Sequence, residues 1–145
     1  MSKLIEFQKA AQRIYNILLV EDDPHLLKAV NDFLEDQNFQ VTAAKSGESA
    51  IEALNKKAFD LVITDLIMNK VSGIIVLKKV KELNRETMVI IMTGNRDIDF
   101  AIEALRLDVN DYILKPFKLD DFLDRVIHCL AKQESIRRNR GPIEA

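Results

Sequence analysis

The chain has 145 residues, 48% hydrophobic and 30% charged, with a formal net charge of -2. This is the balance of one folded domain with a real core, and it excludes a disordered chain and nucleic-acid binding through bulk charge. The single cysteine, Cys129, excludes an internal disulfide, and the apolar runs are strand-sized, short of the roughly 20 residues that a membrane span needs.

Residues 1–15 carry Leu4, Phe7 and Ala11 at loosely helical spacing, which suits a short lead-in helix. Beyond them, short runs rich in Val, Ile and Leu alternate with longer segments of helical period. That alternation predicts βαβ units and a parallel sheet covered on both faces. Strands are expected near 16–21, 39–44, 60–65, 87–93 and 111–115. The continuous apolarity of the first, third and fourth marks them as central, and the second reads as an edge strand. The first helix after the sheet begins follows Pro24 and lines up Leu26, Leu27, Val30, Phe33 and Leu34. Ser46-Gly-Glu opens the next, with Ile51 and Leu54 inward. Ser72 is placed to cap a third, whose apolar side is Val76, Leu77, Val80 and Leu83 and which stops at Asn84. A fourth buries Ile98, Ala101, Ile102 and Leu105. A fifth buries Phe122, Leu123, Val126, Ile127 and Leu130 and runs on into Ser135–Arg140. From 137 onward, the arginines followed by Gly141-Pro142 read as a solvated tail.

Polar residues stand where the apolar runs stop: Glu21, Asp22 and Asp23 after the first strand, Asp65 after the third, Thr93 after the fourth, and Lys115 after the fifth. In an open parallel sheet, side chains just past the carboxyl ends of the strands share one crevice. Carboxylates crowded there repel one another unless a cation lies between them, and a divalent metal resolves the conflict. Mg²⁺ takes oxygen ligands and keeps several waters, so Asp22 and Asp65 fit as direct ligands and Glu21 as one acting through water. Asp23 is assigned to the helix start. A helix dipole alone would explain the acidic triplet, and Asp65 at the end of another central strand is what tips the balance. Asp65 is flanked by apolar residues, where a carboxylate is costly without a charge partner. Beside a metal and an ammonium it becomes a nucleophile toward phosphorus. Lys115, held by Pro116, has the compact charge that suits a phosphoryl oxygen, and Gly94 next to Thr93 leaves space for one. Tyr112 reads as a half-buried aromatic with a wet hydroxyl. His128-Cys129 is not metal spacing, and no zinc site is expected.

Together these residues resemble the receiver domain of two-component response regulators over about residues 16–134. The resemblance is carried by Leu-Leu-Val-Glu-Asp-Asp-Pro at 18–24, Asp-Leu-Val-Ile-Thr-Asp-Leu-Ile-Met at 60–68, Ser-Gly at 72–73, Met-Thr-Gly at 92–94 and Asp-Tyr-Ile-Leu-Lys-Pro-Phe at 111–117, in family order and spacing. It implies a doubly wound, five-stranded parallel sheet, a flavodoxin-like (βα)5 α/β fold in three layers. It implies that Asp65 accepts a phosphoryl group from the phosphohistidine of a sensor histidine kinase or a phosphotransfer protein. Mg²⁺ would lie between Asp22, Asp65 and the backbone carbonyl of Ile67, with Glu21 acting through water. Lys115 would pair with the phosphoryl group and Thr93 would donate to it. The switch it implies moves the Thr93 hydroxyl toward the phosphoryl group and turns Tyr112 inward, altering a surface of the fourth helix, fifth strand and fifth helix where partners or a second copy dock.

Three positions depart from the family pattern: Asn69 where proline is usual, Asp108-Val109 where Gly-Ala is common, and apolar Ile67 two residues past the acceptor. The receiver is expected to be a phosphoacceptor rather than an enzyme, cytoplasmic, with no membrane or direct nucleic-acid contact. Residues 1–15 form an extension, and 135–145 a basic tail or a linker toward an output domain. An aspartyl phosphatase would need a second carboxylate at Ile67, and the four scattered glycines make no nucleotide-binding loop. The remaining alternative is a receiver-like docking module that is never phosphorylated.

Overall fold

The computed structural model describes residues 3–11, 13–68, 71–94, 102 and 106–140. Strands β1 (Asn16–Val20), β2 (Gln40–Ala44), β3 (Leu61–Asp65), β4 (Met88–Thr93) and β5 (Asp111–Leu114) form one parallel sheet in the order β2-β1-β3-β4-β5. The strands that read as central are central, and β2 is an edge. Five helices are described: α1 (Lys3–Ala11), α2 (Pro24–Asp36), α3 (Gly47–Lys56), α4 (Gly73–Leu83) and α5 (Leu119–Arg140).

Successive strand residues point to opposite faces, so each central strand feeds two cores. Ile17, Leu19, Leu61, Ile63, Ile90 and Met92 pack with α2 and α5, together with Leu4 of α1. Leu18, Val20, Val62, Val89 and Ile91 pack with α3 and α4. Helices on both faces of a parallel sheet make the three-layer, flavodoxin-like α/β/α arrangement.

Local signals set the helix ends. The Asp23 carboxylate accepts hydrogen bonds from the backbone N–H groups of His25 (3.0 Å) and Leu26 (3.4 Å), which assigns it to capping α2 as expected. Asn38, at φ 69°, ends the same helix in a left-handed residue, a role that Asn tolerates. Ser72 occupies the cap position of α4, but its hydroxyl makes no capping bond; the Gly73 N–H instead donates to the Leu66 carbonyl at 2.8 Å. Leu83, read as part of the apolar side of α4, is exposed at the helix end. The fourth expected helix falls almost wholly outside the described residues. Only Ile102 of its apolar set is described, and it is exposed rather than buried.

The far end of α5 also differs from the sequence reading. The helix continues to Arg140, and Arg137 does not enter a solvated tail: its guanidinium bonds the Asp60 carboxylate at 3.1 Å. Arg13 bonds the same carboxylate, which also accepts from the Asn16 N–H at 2.8 Å. Gln133 donates to the carbonyls of Asp60 (2.9 Å) and Glu86 (2.7 Å). Asp60 is buried, and a buried carboxylate needs such partners. Composition marks these arginines as soluble, but a buried anion at the start of β3 gives Arg137 a better partner than water. Among the described residues, no helix is long and apolar enough to cross a membrane.

Candidate functional site

The carboxyl ends of β1, β3, β4 and β5 bring the selected residues to one edge of the sheet. Glu21 follows β1, with its N–H bonded to the carbonyl of Ala44 at 3.0 Å, and only 1% of its surface is exposed. Asp65 closes β3 and is buried, while Asp22 is exposed. Carboxylate oxygens of Glu21, Asp22 and Asp65 all lie within 4.8 Å of one another. The Lys115 ammonium donates to Glu21 Oε1 at 2.6 Å and to Asp65 Oδ2 at 2.8 Å. Residues far apart in the sequence thus share one pocket.

The charges bear on one another. Burial holds the Glu21 carboxyl above its ordinary value, opposed by its hydrogen bonds from Lys115 and from the Asp23 N–H. For Lys115 burial pulls downward, but the hydrogen bonds and charges of Asp65 and Glu21 outweigh it, and the net shift is upward. The lysine therefore stays charged across the physiological range. Its bond to Glu21 was not anticipated from the sequence, which placed Glu21 only beside a cation.

Two hydrogen bonds orient the acceptor candidate. Asp65 Oδ1 accepts from the Ile67 N–H at 3.3 Å, and Oδ2 faces Lys115. Ile67 itself is 45% exposed, beside the carboxylate. Thr93, buried at the end of β4, turns its hydroxyl to the Gly94 carbonyl at 3.2 Å. The Lys115–Pro116 peptide bond is cis. Tyr112 lies away from the pocket, 49% exposed, in a groove between β5 and α5 that Pro116 and Phe117 also line.

One residue close to the site was quoted in a motif but given no role. A Cβ on Gly73 would come within 2.0 Å of the Asp65 carbonyl oxygen and 2.8 Å of Leu66 Cα. Only glycine lets the start of α4 approach the end of β3 so closely. The Ser-Gly pair was the available signal, but only the packing of the helix on the strand reveals its reason.

The donor set suits a hard cation: three acidic side chains, all oxygen, with Asp22 open to solvent for the waters that such an ion keeps. Among the described residues no sulfur or imidazole joins this group, which disfavours zinc. The site combines an anchored carboxylate, an ammonium held against it and three carboxylates close enough to share a cation, a combination able to receive a small, highly charged anion.

Comparison with known proteins gives the same picture. Residues 17–127 match the family described as the response regulator receiver domain. The chain is 33% identical over 124 residues to the transcriptional regulatory protein DltR of Streptococcus agalactiae serotype III, covering 86% of this chain and 55% of that protein. It is 35% identical over 121 residues to the transcriptional regulatory protein ZraR of Escherichia coli K12, covering 83% of this chain and 27% of ZraR. It thus spans about half of one relative and about a quarter of the other. Among solved structures, the response regulator receiver domain protein of Clostridium thermocellum superposes with a TM-score of 0.77 at 29% identity, over 85% of this chain and 99% of that one. The matched span contains every pocket residue described above, and the chain belongs to the receiver domain family of two-component response regulators.

Proposed function

We propose that Asp65 is the phosphoacceptor of this receiver. A carboxylate oxygen of Asp65 attacks the phosphorus of a phosphohistidine; the new P–O bond forms as the P–N bond breaks, and the electron pair leaves on the imidazole nitrogen. The donor is a sensor histidine kinase or a phosphotransfer protein. Lys115 is the residue that meets the transferred group, because its ammonium is already held against Asp65 Oδ2. Asp22, Asp65 and the Ile67 carbonyl would hold Mg²⁺, with Glu21 acting through water, and the ion would supply neutralisation of charge on the phosphoryl oxygens.

Thr93 and Tyr112 form the switch. The Thr93 hydroxyl, now on the Gly94 carbonyl, moves to a phosphoryl oxygen, and Tyr112 leaves the groove for the space it vacates. Two packings of one domain are then biased by a ligand-like charge, and the surface around β5 and α5, where a partner or a second copy docks, differs between them. We assign 16–134 to the receiver, 1–15 to an extension and 135–145 to a basic tail or linker, in a cytoplasmic regulator.

The observation that carries this reading is the Lys115 ammonium shared between Asp65 and Glu21, with Asp22 beside them. Nothing in the pocket favours a docking module without phosphorylation, since acceptor, acids, hydroxyl and lysine are all in place. Incubation with acetyl phosphate and Mg²⁺, followed by intact mass measurement, tests it. The chain is expected to gain one phosphoryl group, and Asp65→Asn to gain none; full labelling of that variant would remove Asp65 as acceptor.

A further inference from the structure

Both flanks of the family-matched span, 17–127, are folded: α1 and Arg13–Tyr15 precede it, and the last turns of α5 follow it. Gln133 marks where α5 passes the end of the sheet, since its side-chain amide donates to the carbonyls of Asp60 and Glu86, just ahead of β3 and β4. Glu134–Arg140 therefore run past the strands, roughly 10 Å of helix at about 1.5 Å per residue.

Apolar burial does not hold this overhang. Among the described residues, Leu130 is the last of α5 to join the core, and Ile136 is 42% exposed. A helix end without a buried face frays unless other groups tie it down. Two of its ties involve the segment before β1. Tyr15 donates to the Glu134 carboxylate at 2.8 Å, and Arg13 bonds Asp60, the same carboxylate that accepts from Arg137 at 3.1 Å.

That segment is itself anchored to the body of the fold. Tyr15 is buried, its carbonyl accepts from the Gln40 N–H at 3.0 Å, and the Arg13 guanidinium lies 4.6 Å from the centre of its ring. Phe7 stacks on the same ring at 5.2 Å, Leu4 is buried in the core, and Gln8 donates to the Gln37 carbonyl at 2.8 Å. We propose that residues 3–15 are a brace for the overhanging end of α5, so that the chain leaves the receiver in a fixed direction rather than through a hinge after Leu130. The folded unit then exceeds the family-matched span at both ends, and the first part of the linker is a rigid lever. The brace stands at the end of the strands opposite the acidic pocket and does not rest on the reading of Asp65.

Backbone amide order parameters of the full chain test this, measured without the phosphoryl mimic beryllofluoride so that the outcome stands apart from phosphorylation. The wild type is compared with a variant carrying Arg13→Gln and Tyr15→Phe, which keeps the buried ring and removes the guanidinium and the hydroxyl. At 134–138 the expected values are about 0.85 in the wild type, that of rigid backbone, falling toward about 0.6 in the variant, while β1, β3 and β4 stay rigid. If the double variant does not fold, Tyr15→Phe alone, which deletes a single oxygen, should give a smaller fall at the same amides. Wild-type order at 134–138 in the variant would overturn the brace, because α5 would then hold its own end. So would an equal fall throughout the strands, which would make the segment part of the sheet's support rather than a tie to α5.

Discussion

Ile67 shows how a single residue tunes a shared chemistry. Its N–H steadies Asp65 Oδ1, while its side chain stands 45% exposed two residues past the acceptor. A branched hydrocarbon there has no atom able to hold and aim a water at phosphorus. Hydrolysis of the aspartyl phosphate is therefore expected to be slow and the phosphorylated state long-lived. Ile67→Asn supplies a donor and an acceptor at the same place, and should shorten the lifetime by roughly tenfold, the effect of about 1.4 kcal/mol in the barrier. Release of inorganic phosphate from the two purified, labelled proteins measures this; faster loss from the wild type would contradict the argument. At this scale the sequence was informative, because an apolar residue in a polar position is visible without coordinates. The bond between Glu21 and Lys115 was not, since no local pattern records which of several acids an ammonium meets.

At the scale of elements, the strands were legible because burial on both faces demands unbroken apolar runs, and β1, β3 and β4 have them. Strand ends were legible for the same reason, and with them the pocket. Helix α4 was placed correctly, but the reason it starts where it does was not. Its first residue, Gly73, lies against the backbone at the end of β3, a contact between segments that only the folded sheet brings together. Gly73→Ala forces a Cβ to within 2.0 Å of the Asp65 carbonyl oxygen, and the fixed backbone cannot yield without moving the acceptor. The expected cost is about 1–3 kcal/mol of stability, the range for overpacking, accompanied by weaker beryllofluoride binding. Urea unfolding and a beryllofluoride titration on the same sample separate the two effects. A variant as stable as the wild type would show that α4 can move away from β3 at no cost.

Across the whole molecule, the segment before β1 and the far part of α5 meet at the start of β3, at the end of the sheet opposite the acidic pocket. Arg13 from the amino-terminal side and Arg137 from α5 converge on Asp60, and Gln133 bridges the starts of β3 and β4. Composition read the last arginines as solvated because charge usually is, and the partner that overrules it lies 77 residues away. Cys129 reports on this clamp. Its side chain is buried in the core between α5 and the sheet, and burial pushes its thiol up to about 12. In the unfolded chain the same thiol ionises near its ordinary value of about 8.5. A raised folded value means that the stability owed to keeping this thiol neutral is complete below the unfolded value and falls away as pH rises toward 12. Iodoacetamide reacts with the thiolate, so native protein at pH 8 should be alkylated only through opening of α5, orders of magnitude more slowly than in urea. Arg137→Ala removes one arm of the clamp and should raise the native rate by about tenfold, corresponding to about 1.4 kcal/mol less protection. Native alkylation as fast as in urea would mean that Cys129 is not held in the core. An unchanged rate in the arginine variant would mean that the Asp60 contact does not hold α5 to the sheet.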